Sequence, residues 1–250
     1  MSGRPGPTVL VLCYHAVSES WPSELAVRPA RLRRQLELLV RRGYVGTTFA
    51  AAVAAPPARR TLAVTFDDAY ASTLALAHPI LAALGLPATV FVPTDFAGRA
   101  GPMSWPGIDH WIGGPHAAEL RCLDWDELRW LSGQGWEVGS HTCSHPCLPE
   151  LDSAAAMTEL ERSRAAIEDA LGLPCRSLAY PYGAADARVV GWASAAGYRA
   201  AGLLGSPPAA ARPLAWPRVG VYRIDAEWRF RAKLSPLLRR LGAARRGSRA

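Results

Sequence analysis

Short apolar runs alternate with amphipathic helical stretches from Val9 almost to the end of the chain. That alternation constrains the fold more than any other feature. Val9–Cys13, Leu62–Phe66, Ala88–Val92, Trp136–Val138, Ser177–Tyr180, Tyr198–Ala201 and Arg218–Val221 read as strands. Between them, Pro29–Arg42, Leu74–Leu84, Asp124–Ser132, Asp152–Leu171 and Ala185–Ala196 have helical periodicity, and Ala226–Leu241 follows, interrupted near Pro236. Gly43, Gly85 and Gly172 stand where three of these helices should stop, and Asp152 stands where the long one should start. Strand–helix alternation predicts a mainly parallel sheet, open or closed into a barrel. A chain of 250 residues suits a single α/β barrel. The segment Pro93–Arg121 fits no element. A loop that long, carrying Trp105, His110, Trp111 and His116, is expected to be functional.

Several function classes recede on composition. No apolar stretch approaches the roughly 18 residues of a membrane span. The N-terminal run is too short for the core of a secretory leader, so the chain is expected to be cytoplasmic. Five cysteines, an odd number at irregular spacing, suit free thiols rather than a disulfide framework. Net charge is +7, and the excess is concentrated in two clusters. Arg28, Arg31, Arg33, Arg34, Arg41 and Arg42 form an early one; Arg229, Arg231, Lys233, Arg239, Arg240, Arg245, Arg246 and Arg249 form a late one. Such clusters serve solubility and association with anionic partners. The segment Trp228–Leu241 mixes apolar and basic residues as a surface-bound helix does, which predicts peripheral contact with the anionic inner membrane face; nucleic acid is not expected.

Four motifs carry chemistry, and each follows a strand. Asp67 and Asp68 end Leu62-Ala-Val-Thr-Phe; two carboxylates this close need a compensating cation or hydrogen bonds, unless they merely cap a helix. His141 and His145 lie four apart in Gly139-Ser-His-Thr-Cys-Ser-His-Pro146, where one helix face or a bent loop would bring them together as metal ligands. Cys143 and Cys147 interleave with them, so a closed structural zinc site of two His and two Cys is a rival, one that leaves the Asp pair unexplained. Ser177-Leu-Ala-Tyr-Pro-Tyr-Gly183 ends in a rigid turn able to aim a backbone N–H at a developing oxyanion. His15, in Leu12-Cys-Tyr-His15, is either catalytic or a hydrogen-bonded strand end.

The ordered set Thr65-Phe-Asp-Asp68, His141-Thr-Cys-Ser-His145 and Tyr180-Pro-Tyr-Gly183 resembles the polysaccharide deacetylase family, carbohydrate esterase family 4, over about Val9–Arg223. The resemblance implies an α/β fold, a single distorted (β/α) barrel with about seven parallel strands. It implies a catalytic domain over residues 1–241, leaving 242–250 as a basic, disordered tail. It implies a divalent metal held by Asp68, His141 and His145, zinc first, with cobalt, nickel and manganese as the other candidates. Asp67 is then the general base toward the attacking water, and the Tyr182 backbone N–H an oxyanion donor. Tyr180, Pro181, Tyr182 and Trp105 are the expected substrate contacts.

Two departures from the family pattern stand out. Many members carry an Arg before the prolines of the third motif, where it steadies the base; Ala179 holds that place here. Many end in a Leu-His motif that supplies the general acid, but no His follows His145. Tyr-Pro-Tyr-Gly and the early Tyr14-His15-Ala-Val resemble a rearranged branch, the biofilm poly-N-acetylglucosamine deacetylases, in which the early His takes the acid role. The expected function is metal-dependent removal of N-acetyl groups from a sugar, glycan or glycoconjugate, with His15 as acid. The alternatives are another amide hydrolase on the same scaffold, a deformylase or small-molecule amidase, and a non-catalytic glycan-binding relative.

Overall fold

The structure, a computed structural model, describes residues 8–54, 59–204 and 211–235. The strands are β1 (Val9–Tyr14), β2 (Ala16–Val17), β3 (Ala26–Val27), β4 (Val45–Thr47), β5 (Thr61–Phe66), β6 (Thr89–Val92), β7 (Glu137–Ser140), β8 (Ser177–Ala179), β9 (Ala200–Leu203), β10 (Trp216–Pro217) and β11 (Val219–Gly220). The helices are α1 (Pro29–Arg41), α2 (Phe49–Ala54), α3 (His78–Ala83), α4 (Trp125–Gly133), α5 (Ser153–Leu171), α6 (Ala187–Ala195) and α7 (Glu227–Leu234). Among the described residues, nine strands form one sheet in the order β10-β9-β8-β7-β6-β5-β1-β11, with β4 beside β5. Every pairing in it is parallel.

Closure depends on one short segment. β10 pairs with β9 and β11 pairs with β1, and only Arg218 separates β10 from β11. The chain therefore switches partners at Arg218 and joins the two edges of the sheet into a distorted barrel. Closure removes the exposed edges that an open sheet would present. It also turns the Arg218 side chain inward, where it is fully buried.

The helices form as their periodicity dictates. In α1, Leu32, Leu36 and Leu39 are buried against the sheet, each worth about 2 kcal/mol of apolar burial. Asp152 accepts from the Ala155 amide and starts α5, and Gly172, in the left-handed conformation, stops it. Three differences from the sequence reading are local. The helix expected over Leu74–Leu84 opens with a π turn, Thr73–Ala77, before α3. β4 and α2 lie in a stretch whose apolar residues are too short a run to show a period. The last helix is described only as far as Leu234, so the remainder to Leu241 and the tail at 242–250 lie outside the described residues. No helix of the described residues is long and apolar enough to cross a membrane.

Candidate active site and metal centre

All the chemistry lies at the C-terminal ends of β1, β5, β7 and β8, around a cavity of about 650 Å³. That volume is within the usual range for small-ligand sites. His15, Asp67, Asp68, His141, His145, Trp105 and Tyr182 line it.

β5 is buried along almost its whole length and delivers Asp67 and Asp68 into the interior. The Asp67 amide still donates to the Tyr14 carbonyl of β1, 2.9 Å away. The chain then turns through left-handed geometry at Asp68 (φ 68) and Ala69 (φ 51), which separates the two carboxylates. Leu123 and Ala71 pin this turn, through Leu123 N–H to the Ala69 carbonyl and Ala71 N–H to the Arg121 carbonyl, both 2.8 Å. The far end of the long loop is thereby fastened to the site.

β7 delivers the histidines from a bent loop, not a helix. Thr142 (φ 67) and His145 (φ 64) are both left-handed, and the Thr142 hydroxyl accepts the His145 amide at 3.1 Å. Glu159 of α5 reaches under this loop. Its carboxylate accepts the amides of Cys143 (2.7 Å) and Ser144 (2.9 Å) and the Ser144 hydroxyl (2.7 Å). With Tyr182 (φ 57), the positive-φ residues other than glycine among the described residues are Asp68, Ala69, Thr142, His145 and Tyr182, and every one lies in these three loops. Such strain costs about 1–3 kcal/mol per residue and persists where the surrounding structure holds it for function.

Asp68 Oδ1 lies 3.3 Å from His141 Nε2 and 3.4 Å from His145 Nε2. Donors around a tetrahedral ion with bonds near 2.1 Å sit about 3.4 Å apart, so the trio has the spacing of a metal site. All three are buried, and Asp68 Oδ1 has no hydrogen-bond partner. His141 Nδ1 contacts the Ala179 carbonyl at 2.7 Å, which assigns the proton to Nδ1 and turns the Nε2 lone pair inward. Burial pulls His145 down to about 3, so its imidazole is neutral, as a ligand must be. Burial also opposes a proton on His141, but the Asp68 and Asp67 carboxylates outweigh it and raise that pKa. These residues fit a divalent cation. Cys143 and Cys147 do not join them. The Cys143 thiol turns to the Glu159 carbonyl at 3.5 Å, and among the described residues neither cysteine belongs to a metal-capable cluster. The rival site of two Cys and two His is therefore excluded. All five cysteines are free thiols.

Asp67 has a partner that sequence reading missed. Arg218 grips it with both prongs, Nη1 to Oδ1 at 2.6 Å and Nη2 to Oδ2 at 2.7 Å, and Nη1 also reaches the Thr65 hydroxyl at 3.1 Å. The guanidinium lies over the Phe91 ring, 5.5 Å from its centroid, in the small apolar cluster that contains Ala179. It arrives from the closing segment rather than from the third motif. Gly202 makes room for it, since a Cβ there would lie 2.5 Å from Arg218 Nε. Burial alone would raise the Asp67 pKa, but Arg218 overrides it and holds the carboxyl well below the usual range. Two signals for Arg218 were in the sequence: the Asp pair called for a compensating cation or hydrogen bonds, and Arg218 opens a strand otherwise free of charge.

The remaining expected residues divide in two. His15 sits on the cavity wall with Nδ1 unpartnered, stacked on Tyr222 at a centroid distance of 6.1 Å. Its donor atom, the Asp67 carboxylate and Cys13 Sγ lie within 4.8 Å of one another, and the Cys13 thiol points at Asp67 Oδ2, 3.3 Å away. Tyr182 is half exposed on the rim, its ring edge-on to His145 at 4.7 Å. Trp105 is buried and stacks flat on His145 at 4.2 Å. Tyr180 and Pro181 are also buried but fall outside the cavity wall, with the Tyr180 hydroxyl donating to the Leu214 carbonyl at 2.9 Å.

Comparison with known proteins decides the family. The polysaccharide deacetylase family profile matches residues 54–201, more than half of the chain. The chain belongs to the polysaccharide deacetylase family. YxkH of Bacillus subtilis (strain 168), a polysaccharide deacetylase by name, is 24% identical over 207 residues, which are 81% of this chain and 66% of YxkH. The chain thus spans just under two thirds of that relative. Among solved structures, the deacetylase PplD of Streptococcus pyogenes superposes with a TM-score of 0.76 at 21% identity, covering 92% of this chain and 100% of PplD. The BpsB deacetylase domain of Bordetella bronchiseptica gives 0.66 at 25% identity, covering 88% of this chain and 98% of that domain. The family assignment agrees with the barrel, and the early expectation of that fold stands.

Proposed function

We propose that this chain is a metal-dependent carbohydrate N-deacetylase that hydrolyses the acetamide of an N-acetylated sugar, glycan or glycoconjugate. One observation carries the reading: three convergent metal donors sit beside a carboxylate that is held ionised by its own arginine, inside one cavity. Asp68, His141 and His145 would hold the ion, zinc by preference, because carboxylate-plus-imidazole sets suit it. When bound, the ion supplies Lewis acidity, making a water acidic near neutral pH and polarising an acyl oxygen.

The chain's own groups do the rest. Asp67 accepts the proton of the attacking water. Arg218 denies it rotation and keeps it deprotonated. The Tyr182 backbone N–H, in the left-handed turn beside the cavity, donates to the developing oxyanion. His15, on the cavity wall beside Asp67, delivers a proton to the departing amine. Trp105 acts on His145 through its flat stack, and Tyr182 offers the sugar an exposed ring at the rim. Acetate release from N-acetylated oligosaccharides by the metal-loaded protein tests the reading. Formate from an N-formylated analogue, with no acetate from any acetylated one, would replace it with deformylation. Binding of such glycans without any product would replace it with a non-catalytic role.

A further inference from the structure

The described parts of the two basic clusters lie on α1 and α7, about 190 residues apart in sequence, and the fold brings those helices together. α1 packs against α7. Arg31 donates to the Arg223 carbonyl, and Gln35 Nε2 donates to the Asp225 carbonyl at 3.3 Å. Arg34 is exposed on α1 beside this seam, and neither it nor Arg28 has a carboxylate within 4.0 Å among the described residues. Arg231 is exposed on α7, paired only with the exposed Glu227. Residues 236–250, outside the described part, add five arginines and no acid.

Two large apolar side chains stand in the middle of this charge. Trp228 is 70% exposed and Ile224 57% exposed, the two most exposed large hydrophobics described. Phe230, on the opposite side of α7, is fully buried, so the helix is already anchored and does not need Trp228 for packing. Apolar wedges amid arginines are what an anionic lipid surface recognises: the rings enter the headgroup layer and the cations meet the phosphates. The patch is also continuous with the cavity mouth. Tyr222 and Glu24 line the cavity, Arg223 N–H donates to the Glu24 carbonyl at 2.8 Å, and Ile224 is the next residue.

We infer that the α1–α7 face, centred on Ile224 and Trp228, docks on an anionic lipid bilayer and holds the cavity mouth against saccharides displayed there. The second half of that statement rests on the deacetylase reading; the first does not. The test is co-sedimentation of the full chain with phosphatidylcholine vesicles, with and without phosphatidylglycerol, at low and high salt. Retention is expected on the anionic vesicles at low salt only. Trp228→Ala, and separately Arg34→Glu with Arg231→Glu, should each weaken it; every arginine lost is worth about fivefold in partitioning, so the double variant should lose at least about 25-fold. Thermal melts of both variants verify folding, and acetate release from a short soluble substrate should match wild type. No retention on anionic vesicles overturns the proposal. So does full retention by both variants, which would assign binding to residues outside this face. Equal capture by a soluble polyanion such as heparin, unaffected by Trp228→Ala, overturns it too, as does vesicle-independent self-association through the patch. Vesicle binding is read without catalysis, so a failed deacetylase reading leaves this result interpretable.

Discussion

The two ends of the barrel treat a carboxylate in opposite ways. At the N-terminal end of β7, Glu137 is fully satisfied by the protein. It accepts from the Ser177 hydroxyl at 2.6 Å, the Thr89 hydroxyl at 2.9 Å and the Ala50 amide at 2.9 Å, and so ties β6, β8 and α2 together. At the C-terminal end, Asp68 Oδ1, His15 Nδ1 and His145 Nδ1 lack partners, and the backbone is strained around them. A native fold rarely leaves buried polar atoms unpaired, and the unpartnered Asp68 Oδ1 faces His141 Nε2 and His145 Nε2, a donor set that fits a cation. The contrast separates a fully paired carboxylate at one end from one with an unpartnered oxygen at the other.

Substitutions can break or sharpen that contrast. The largest effect should come from Asp67→Asn, which removes the base: acetate release should fall about 10²–10⁴-fold while bound metal stays unchanged. Metal loss in that variant would move Asp67 into the ligand set. Arg218→Lys comes next. It keeps the charge but not the two-pronged grip, and guanidinium and ammonium are not interchangeable at such a site. A kcat reduced by about 10–100-fold with KM little changed is expected, and Arg218→Met should also destabilise the fold by about 3–5 kcal/mol by leaving Asp67 buried and unpaired. Kinetics and chemical denaturation measure the two.

Glu159→Gln and Trp105→Leu act on the histidine loop from outside it. Each should weaken metal affinity by about 10–100-fold, as loss of outer partners of metal ligands commonly does, and competition with a chelator reads this directly. At the opposite end, Glu137→Gln should cost about 1–3 kcal/mol and lower Tm by a few degrees, with specific activity of the folded protein intact. Activity loss there beyond the loss of folded protein would erase the distinction between the two ends. The smallest effect is expected from Cys13→Ser, within about threefold of wild type, since the hydroxyl keeps a donor toward the ionised Asp67 Oδ2 and the charge-assisted bond is retained.

How much of this was legible in the sequence follows from how local each signal is. The strands and most helices showed in their periodicity, and Asp67, Asp68, His141 and His145 stood out because each sits just past an apolar run. Candidate ligands are marked by residue type and position, which a sequence displays. Arg218 was not singled out because its role depends on barrel closure, an event 151 residues away from Asp67 along the chain. Glu159 was hidden for a related reason: on a solvated helix a glutamate is unremarkable until its carboxylate is seen beneath two loop amides. Tyr180 was expected at the substrate, but its phenol points to Leu214, away from the cavity. Direction of a side chain at a strand end is set by the turn that follows, and that turn includes a left-handed Tyr182 which composition does not reveal.

Metal binding to the stripped protein tests the central claim most directly. The protein is depleted with chelator, titrated calorimetrically with Zn²⁺, and assayed for acetate release at each point. The account predicts one site per chain, with activity rising in proportion to occupancy, and no such site in Asp68→Ala. Full activity in the stripped protein, or unimpaired binding by Asp68→Ala, would contradict it.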